Sequence, residues 1–225
     1  MLDTNLKSLR HFSAYNKLLF ISPVILFLLF VVSIISLSNG AVTTSYQDLF
    51  NYVLSFFIST NEIDPIKEKV ISNIRFPRII LSILVGAALA VSGASLQGIF
   101  KNPMADPGII GVSSGAAVGA VLILSLGLAS YSILMLPIFS FFGGMFAAFL
   151  VFLISRLASS SSSSSFILSG LAISAFLNSL ISLILVSSKK FGELTSILNW
   201  LAGGFQDSRW EHVYITFPVI LIALP

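Results

Sequence analysis

The sequence contains no cysteine. Disulfides and cysteine-based metal sites are therefore excluded. Histidine is almost as scarce. His11 and His212 are isolated near the ends of apolar runs and read as ordinary interface residues, so neither a metal site nor a cofactor is expected. Charged residues make up 9% of the chain, and the formal net charge of +3 gives no nucleic-acid signal. No glycine-rich loop ending in Gly-Lys-Ser/Thr occurs, so any ATP hydrolysis coupled to this chain belongs to another one. The apolar runs contain no Asp, Glu, Lys, Arg or His. Ion-coupled secondary transporters usually carry ionisable residues at membrane depth. Intramembrane enzymes need general acids and bases there. Both classes are disfavoured.

What fills the chain instead is apolar: 56% of 225 residues. That balance describes a polytopic membrane protein. Each run approaches the ~20 residues that cross ~30 Å of hydrocarbon as a helix. Leu18–Ser38 is the first, broken only by Pro23. A signal peptide is the competing reading, but the run is too long and no small-x-small cleavage site follows. Residues 1–17 carry Lys7, Arg10 and Lys17, which favour a cytoplasmic N-terminus. Residues 39–74 form a polar external connection, with short surface helices expected over Tyr46–Phe57 and Pro65–Ile74. Further spans are expected at Ile79–Phe100, Pro107–Leu128, Ser132–Ser155 and Phe166–Val186. A sixth begins at Val213 and stops at Pro225. The expected fold is an all-α bundle of five complete spans plus a truncated sixth, with 18–225 as a single, C-terminally incomplete transmembrane domain.

The chain is organised around Arg75–Ala120. Gly111, Gly115 and Gly119 fall four apart, and Gly86, Ala90 and Gly93 form a similar strip. Lipid does not drive helices together, so close contact over small residues must. Asn102, Pro103 and Pro107 mark a sharp hinge between the second and third spans. Pro77 is expected to bias Phe76 away from helix. Lys and Arg count five inside (7, 10, 17, 101, 156) and seven outside (67, 69, 75, 78, 189, 190, 209) on this topology. The raw count does not favour it, but the first helix usually dominates. Arg75 and Arg78 have no acid within six residues. They read as outward-pointing arginines able to grip carboxylates on a partner, or else to snorkel to lipid phosphate.

The ordered string R-F-P-R, G-A-A-L-A-x-S-G-x-x-x-Q and K-N-P-M-A-D-P-G-I-I-G-V-S-S-G-A resembles the permeases of iron-siderophore, haem and cobalamin ABC importers, the FecCD-like family. Met104 replaces the usual Leu of the hinge. Trp200, Gly203, Gly204 and Trp210 resemble the family's W-x-x-G-G…W segment. The resemblance implies a type II ABC importer permease that does no chemistry on its cargo, and this chain reads as the N-terminal two-thirds of a typical member. It implies a homodimer or a paired homologous permease, separate ATPase subunits, an extracytoplasmic substrate-binding protein docked by Arg75 and Arg78, and a bacterial cell membrane as the location. Ser92, Gln97, Ser113 and Ser114 would line the path, and Ser163 and Ser164 of the seven-serine run would lie at its inner gate. An iron-siderophore complex is the expected cargo. A haem or cobalamin permease, or a non-functional truncated remnant, is the alternative.

Overall fold

The computed structural model describes residues 2–40, 42–55, 64–103, 105–157, 163–188 and 190–223, with side chains from residue 19 onward except that of residue 163. All regular structure among these residues is helical. The elements are α1 (Leu2–Ser38), α2 (Tyr46–Ser55), α3 (Pro65–Val70), α4 (Phe76–Phe100), α5 (Val112–Ser125), α6 (Met135–Leu157), α7 (Ser163–Ser187), α8 (Phe191–Ala202) and α9 (Trp210–Ala223). Among the described residues four stretches are long and apolar enough to cross a membrane: Leu19–Ser38, Pro65–Phe100, Met135–Leu157 and Ser164–Ser187. Their outward faces are large and apolar, for example Phe20, Phe27, Phe30, Phe141, Phe149 and Leu183. In water such a surface would be a severe liability; against lipid it costs nothing.

The expected third span is shorter than its apolar run. The run starts at Pro107, but α5 starts at Val112 because Gly111 takes a left-handed conformation with φ 84°. Fourteen residues at 1.5 Å each rise about 21 Å, short of the hydrocarbon thickness. The residues between are spent on turns. Asp106 Oδ1 accepts from Gly108 N at 2.7 Å, and Ile109 N donates to Asp106 O at 3.1 Å.

Two compact units divide the chain: residues 1–84 with 205–223, and residues 85–204. In the second, α5 is the central element and packs on α6, α7 and α8. Ala147, Val151, Ile173 and Leu177 form one buried cluster, and Val121, Ile181 and Ile197 another. In the first, Leu49, Tyr52 and Ile71 are buried together, with Leu37 and Phe76 against them. Lys67 Nζ meets Asp48 Oδ2 at 2.8 Å, a partner far from its sequence neighbours Asp64 and Glu68. That ammonium, with the Ser45 N–H, holds the Asp48 carboxyl below the usual carboxylate range.

Pro65–Ile74 is not a separate surface helix. α3 passes through a π-helical turn, Ile71–Arg75, directly into α4. Phe76 is helical (φ −60°, ψ −52°), against the expectation from Pro77, and its N–H donates to Ile71 O five residues back. A proline inside a helix clashes with the carbonyl four residues earlier and lacks an N–H of its own. A π-turn just before it changes the register and so relieves the clash. It leaves the Ser72 carbonyl, five residues before Pro77, without the N–H that proline lacks. Trp210 Nε1 donates to that carbonyl at 2.8 Å. Trp210→Phe should keep the ring stacked on Tyr214, whose centroid lies 5.9 Å away, while removing the donor. Loss of one partly buried hydrogen bond costs about 1 kcal/mol. The denaturation midpoint of the purified chain should fall accordingly; an unchanged midpoint would mean that water satisfies Ser72 instead.

Candidate functional site

Two regions carry the residues that the sequence singled out. One is the start of α4 in the first unit. The other is the hinge and glycine seam of the second.

At the start of α4 the two arginines are not equivalent. Arg78 is exposed. Arg75 is not: it is 7% exposed, and its guanidinium is turned into the protein. Its Nη1 donates to Leu37 O and, at 2.5 Å, to Thr44 Oγ1, and its Nη2 donates to Val42 O. The absence of acids nearby in sequence made Arg75 look unpartnered. Its partners are carbonyls and a hydroxyl more than thirty residues away, which no local pattern announces.

The hinge is a helix stop followed by an anchored loop. Lys101 takes a positive φ of 50°. Asn102 N donates to Gln97 O at 3.2 Å, and Lys101 N to Gly98 O at 3.4 Å. These are the two bonds of a Schellman end, so α4 terminates before Pro103. The loop past Pro107 rests on α7. A Cβ on Gly170 would overlap Ile109 O and come within 3.0 Å of Ile110 Cα. The same end of this unit holds an aromatic cluster: Phe100 lies 5.5 Å and Phe152 6.4 Å from Phe166, and Arg156 sits over the Phe152 ring at 5.1 Å. α8 packs at the opposite end, Ile197 against Val121 and Ile181.

Gly111, Gly115 and Gly119 are buried. A Cβ on Gly115 would overlap Gly143 O and lie 2.5 Å from Ala147 Cβ. A Cβ on Gly119 would overlap Phe139 O and lie 2.8 Å from the Phe139 carbonyl carbon. The facing surface on α6 is also glycine: a Cβ on Gly143 would overlap Gly115 O. Gly86 and Gly93 differ from the expectation, since a Cβ on either would meet nothing within 4 Å. Sequence reasoning missed Gly143, Gly144 and Gly170, although the F-F-G-G of the fourth span and the S-G of the fifth are signals of the same kind.

The expected path residues differ in exposure. Ser92 is half-buried, and its hydroxyl donates to Leu89 O at 3.0 Å. Gln97 and Ser113 are exposed, and Ser114 is half-buried. Ser164 is exposed at the first turn of α7; Ser159–Ser162 and the side chain of Ser163 lie outside the described residues. Gly203 and Gly204 take φ of 74° and 130°, which explains the need for glycine at both positions of the W-x-x-G-G segment.

The chain is similar to known proteins over most of its length. Residues 28–225 match the FecCD transport family. The cobalamin import system permease protein BtuC of Halobacterium salinarum is 41% identical over 153 residues, which cover 68% of this chain and 40% of that protein. The molybdate import system permease protein MolB of Haemophilus influenzae is 37% identical over 209 residues, 93% of this chain and 60% of that one. A solved structure described as an inward-facing conformation of a metal-chelate type ABC transporter superposes with a TM-score of 0.69 at 36% identity, covering 89% of this chain and 59% of the other. The chain thus spans about half the length of the relatives it matches. The match runs through the hinge, the glycine seam and the start of α4, and the chain belongs to the FecCD transport family.

Proposed function

We propose that this chain is permease sequence of a binding-protein-dependent ABC importer for a metal chelate, with an iron-siderophore complex as the first candidate cargo. The observation that carries the reading is the family match over 28–225. The relatives' own names span cobalamin, molybdate, iron citrate and haemin. The positions assigned to the path, Ser92, Gln97, Ser113 and Ser114, are neutral hydrogen-bonding groups, which suit an oxygen-rich chelate. Haem or cobalamin is the second reading for cargo. The test is uptake by the assembled transporter of iron-55 carried by a hydroxamate siderophore, with haemin and cobalamin as competitors. Uptake of labelled haemin or cobalamin with no iron uptake would move the assignment to the second reading.

The proposed partners are a second permease copy or homologue, separate ATPase subunits inside and a substrate-binding protein outside. The proposed location is the bacterial cell membrane, with the N-terminus inside. The second unit supports the grouping of its loops by side, which holds for either orientation. The hinge, Arg156 and the first turn of α7 share one end through Phe100, Phe152 and Phe166, and α8 occupies the other. The chain has no native cysteine to mask the result. Single cysteines at the exposed Thr43 and Ser196 should react with an impermeant thiol reagent on intact cells, and one at the exposed Ser164 only after permeabilisation. The reverse pattern would invert the topology and remove Arg78 from the outer surface.

A further inference from the structure

We infer that Arg75 and Arg78 do different work: Arg75 is an internal latch that fastens the loop after α1 to the start of α4, and thereby positions Arg78, the one that faces a partner. The assignment of Arg78 rests on the docking reading above; the latch does not.

The latch begins with the end of α1. The last carbonyls of a helix have no intrahelical donor and carry the negative end of its dipole. Leu37 O is one of them, and Arg75 Nη1 donates to it. The chain then turns through Gly40 and returns, so that Val42 O meets Arg75 Nη2. Thr44 closes the ring: its hydroxyl accepts from Arg75 Nη1 at 2.5 Å and donates to Ser38 O at 3.0 Å. Among the described residues the ion pairs are Lys67–Asp48 and Lys190–Glu193. The buried charge of Arg75 is therefore balanced by oriented carbonyl dipoles, one of them at a helix C-terminus. A planar fork of donors can serve three acceptors around it; an ammonium cannot match that geometry.

Gly40 gives an independent mark of the same fit. It does not take a positive φ, so backbone conformation does not demand glycine there. Space does: a Cβ would lie 2.7 Å from Arg75 Nη2 and 3.2 Å from Cζ. The guanidinium is pressed against Gly40, whose missing side chain leaves room for it. Arg75 also sits at the last position of the π-turn, three residues before Arg78. A fixed Arg75 fixes the turn from which Arg78 projects.

The experiment is hydrogen–deuterium exchange on the 225-residue chain in nanodiscs, read over residues 38–46. Fastening a loop suppresses its local opening, and exchange reports that opening. Arg75→Gln should speed exchange there by about tenfold or more. Gly40→Ala should do the same with Arg75 still present, because the added methyl displaces the guanidinium. Arg75→Lys should fall between wild type and Arg75→Gln. Arg78→Gln should leave the segment unchanged. Wild-type exchange in Arg75→Gln or in Gly40→Ala overturns the latch, and faster exchange in Arg78→Gln overturns the division of labour. Wild-type exchange in Arg75→Lys would show that charge alone suffices and would remove the role of the fork. Should Arg75→Gln not accumulate, Gly40→Ala and Arg75→Lys decide.

Discussion

Gly119→Leu should prevent the α5–α6 pair from forming. The first atom added, the Cβ, already overlaps the Phe139 carbonyl oxygen and lies 3.2 Å from Ser140 N. These are backbone atoms, so no rotamer change relieves the contact. The helices would have to separate, and the seam around them is tight on both sides: Gly115 faces Gly143 O, and Gly143 faces Gly115 O. Overpacking a core with room to adjust costs about 1–3 kcal/mol. Here the adjustment is a rigid displacement of two helices, and membrane helices have no hydrophobic drive to bring them back together. The loss should exceed that range. Gly98→Leu is the control, since a Cβ there meets nothing within 4 Å. The readout is the yield of monodisperse protein in mild detergent. Gly98→Leu should match wild type, and Gly119→Leu should be absent from the monodisperse peak. Wild-type yield of Gly119→Leu would mean that α5 and α6 do not approach at this face.

Why the seam was legible and other features were not comes down to the range of the interactions. Gly111, Gly115 and Gly119 announce themselves because a helix repeats every 3.6 residues and lipid rewards small contact faces. The helices follow for a similar reason: an apolar run of sufficient length has no alternative in a bilayer but to close its own hydrogen bonds. The length of α5 was hidden because Pro107–Gly111 is as apolar as the helix that follows, and only its seat on Gly170 shows why it turns instead. Phe76 was misjudged because the rule for residues before proline is local, whereas the π-turn and the Trp210 indole that cap the strain come from outside its reach. Gly86 and Gly93 carry the right spacing and yet meet nothing within 4 Å. Spacing reports that a close contact is possible, not which surface supplies it. Arg75 failed in the opposite sense, since a search for acids cannot see carbonyl oxygens as partners.

Arg78→Glu should abolish docking of the substrate-binding protein while leaving the permease inserted. Arg78 is exposed at the first turn of α4, on a helix start held by the π-turn, and the adjacent Arg75 is already committed to Leu37 O, Val42 O and Thr44 Oγ1. On the docking proposal, one exposed guanidinium per permease is then the cation this motif offers a partner. An exposed ion pair is worth about 0–1 kcal/mol, and truncating one member of a desolvated pair costs roughly 2–5 kcal/mol. Reversal replaces attraction by repulsion, so even a rim pair should lose more than its own worth. In the assembled transporter the variant should bind on the order of a hundredfold more weakly at low ionic strength, with most of the loss in association rate. The gap between wild type and variant should narrow as salt rises, because exposed charges are screened within about 10 Å at 0.1 M. Arg78→Gln should lie between the two. Replacing an acid on the binding protein with Lys should recover part of the affinity of Arg78→Glu and weaken binding to wild type. Arg75→Lys separates the roles, since it should alter docking less than Arg78→Gln does. Wild-type affinity of Arg78→Glu at low salt would end the docking assignment and leave Arg78 as an anchor for lipid phosphate.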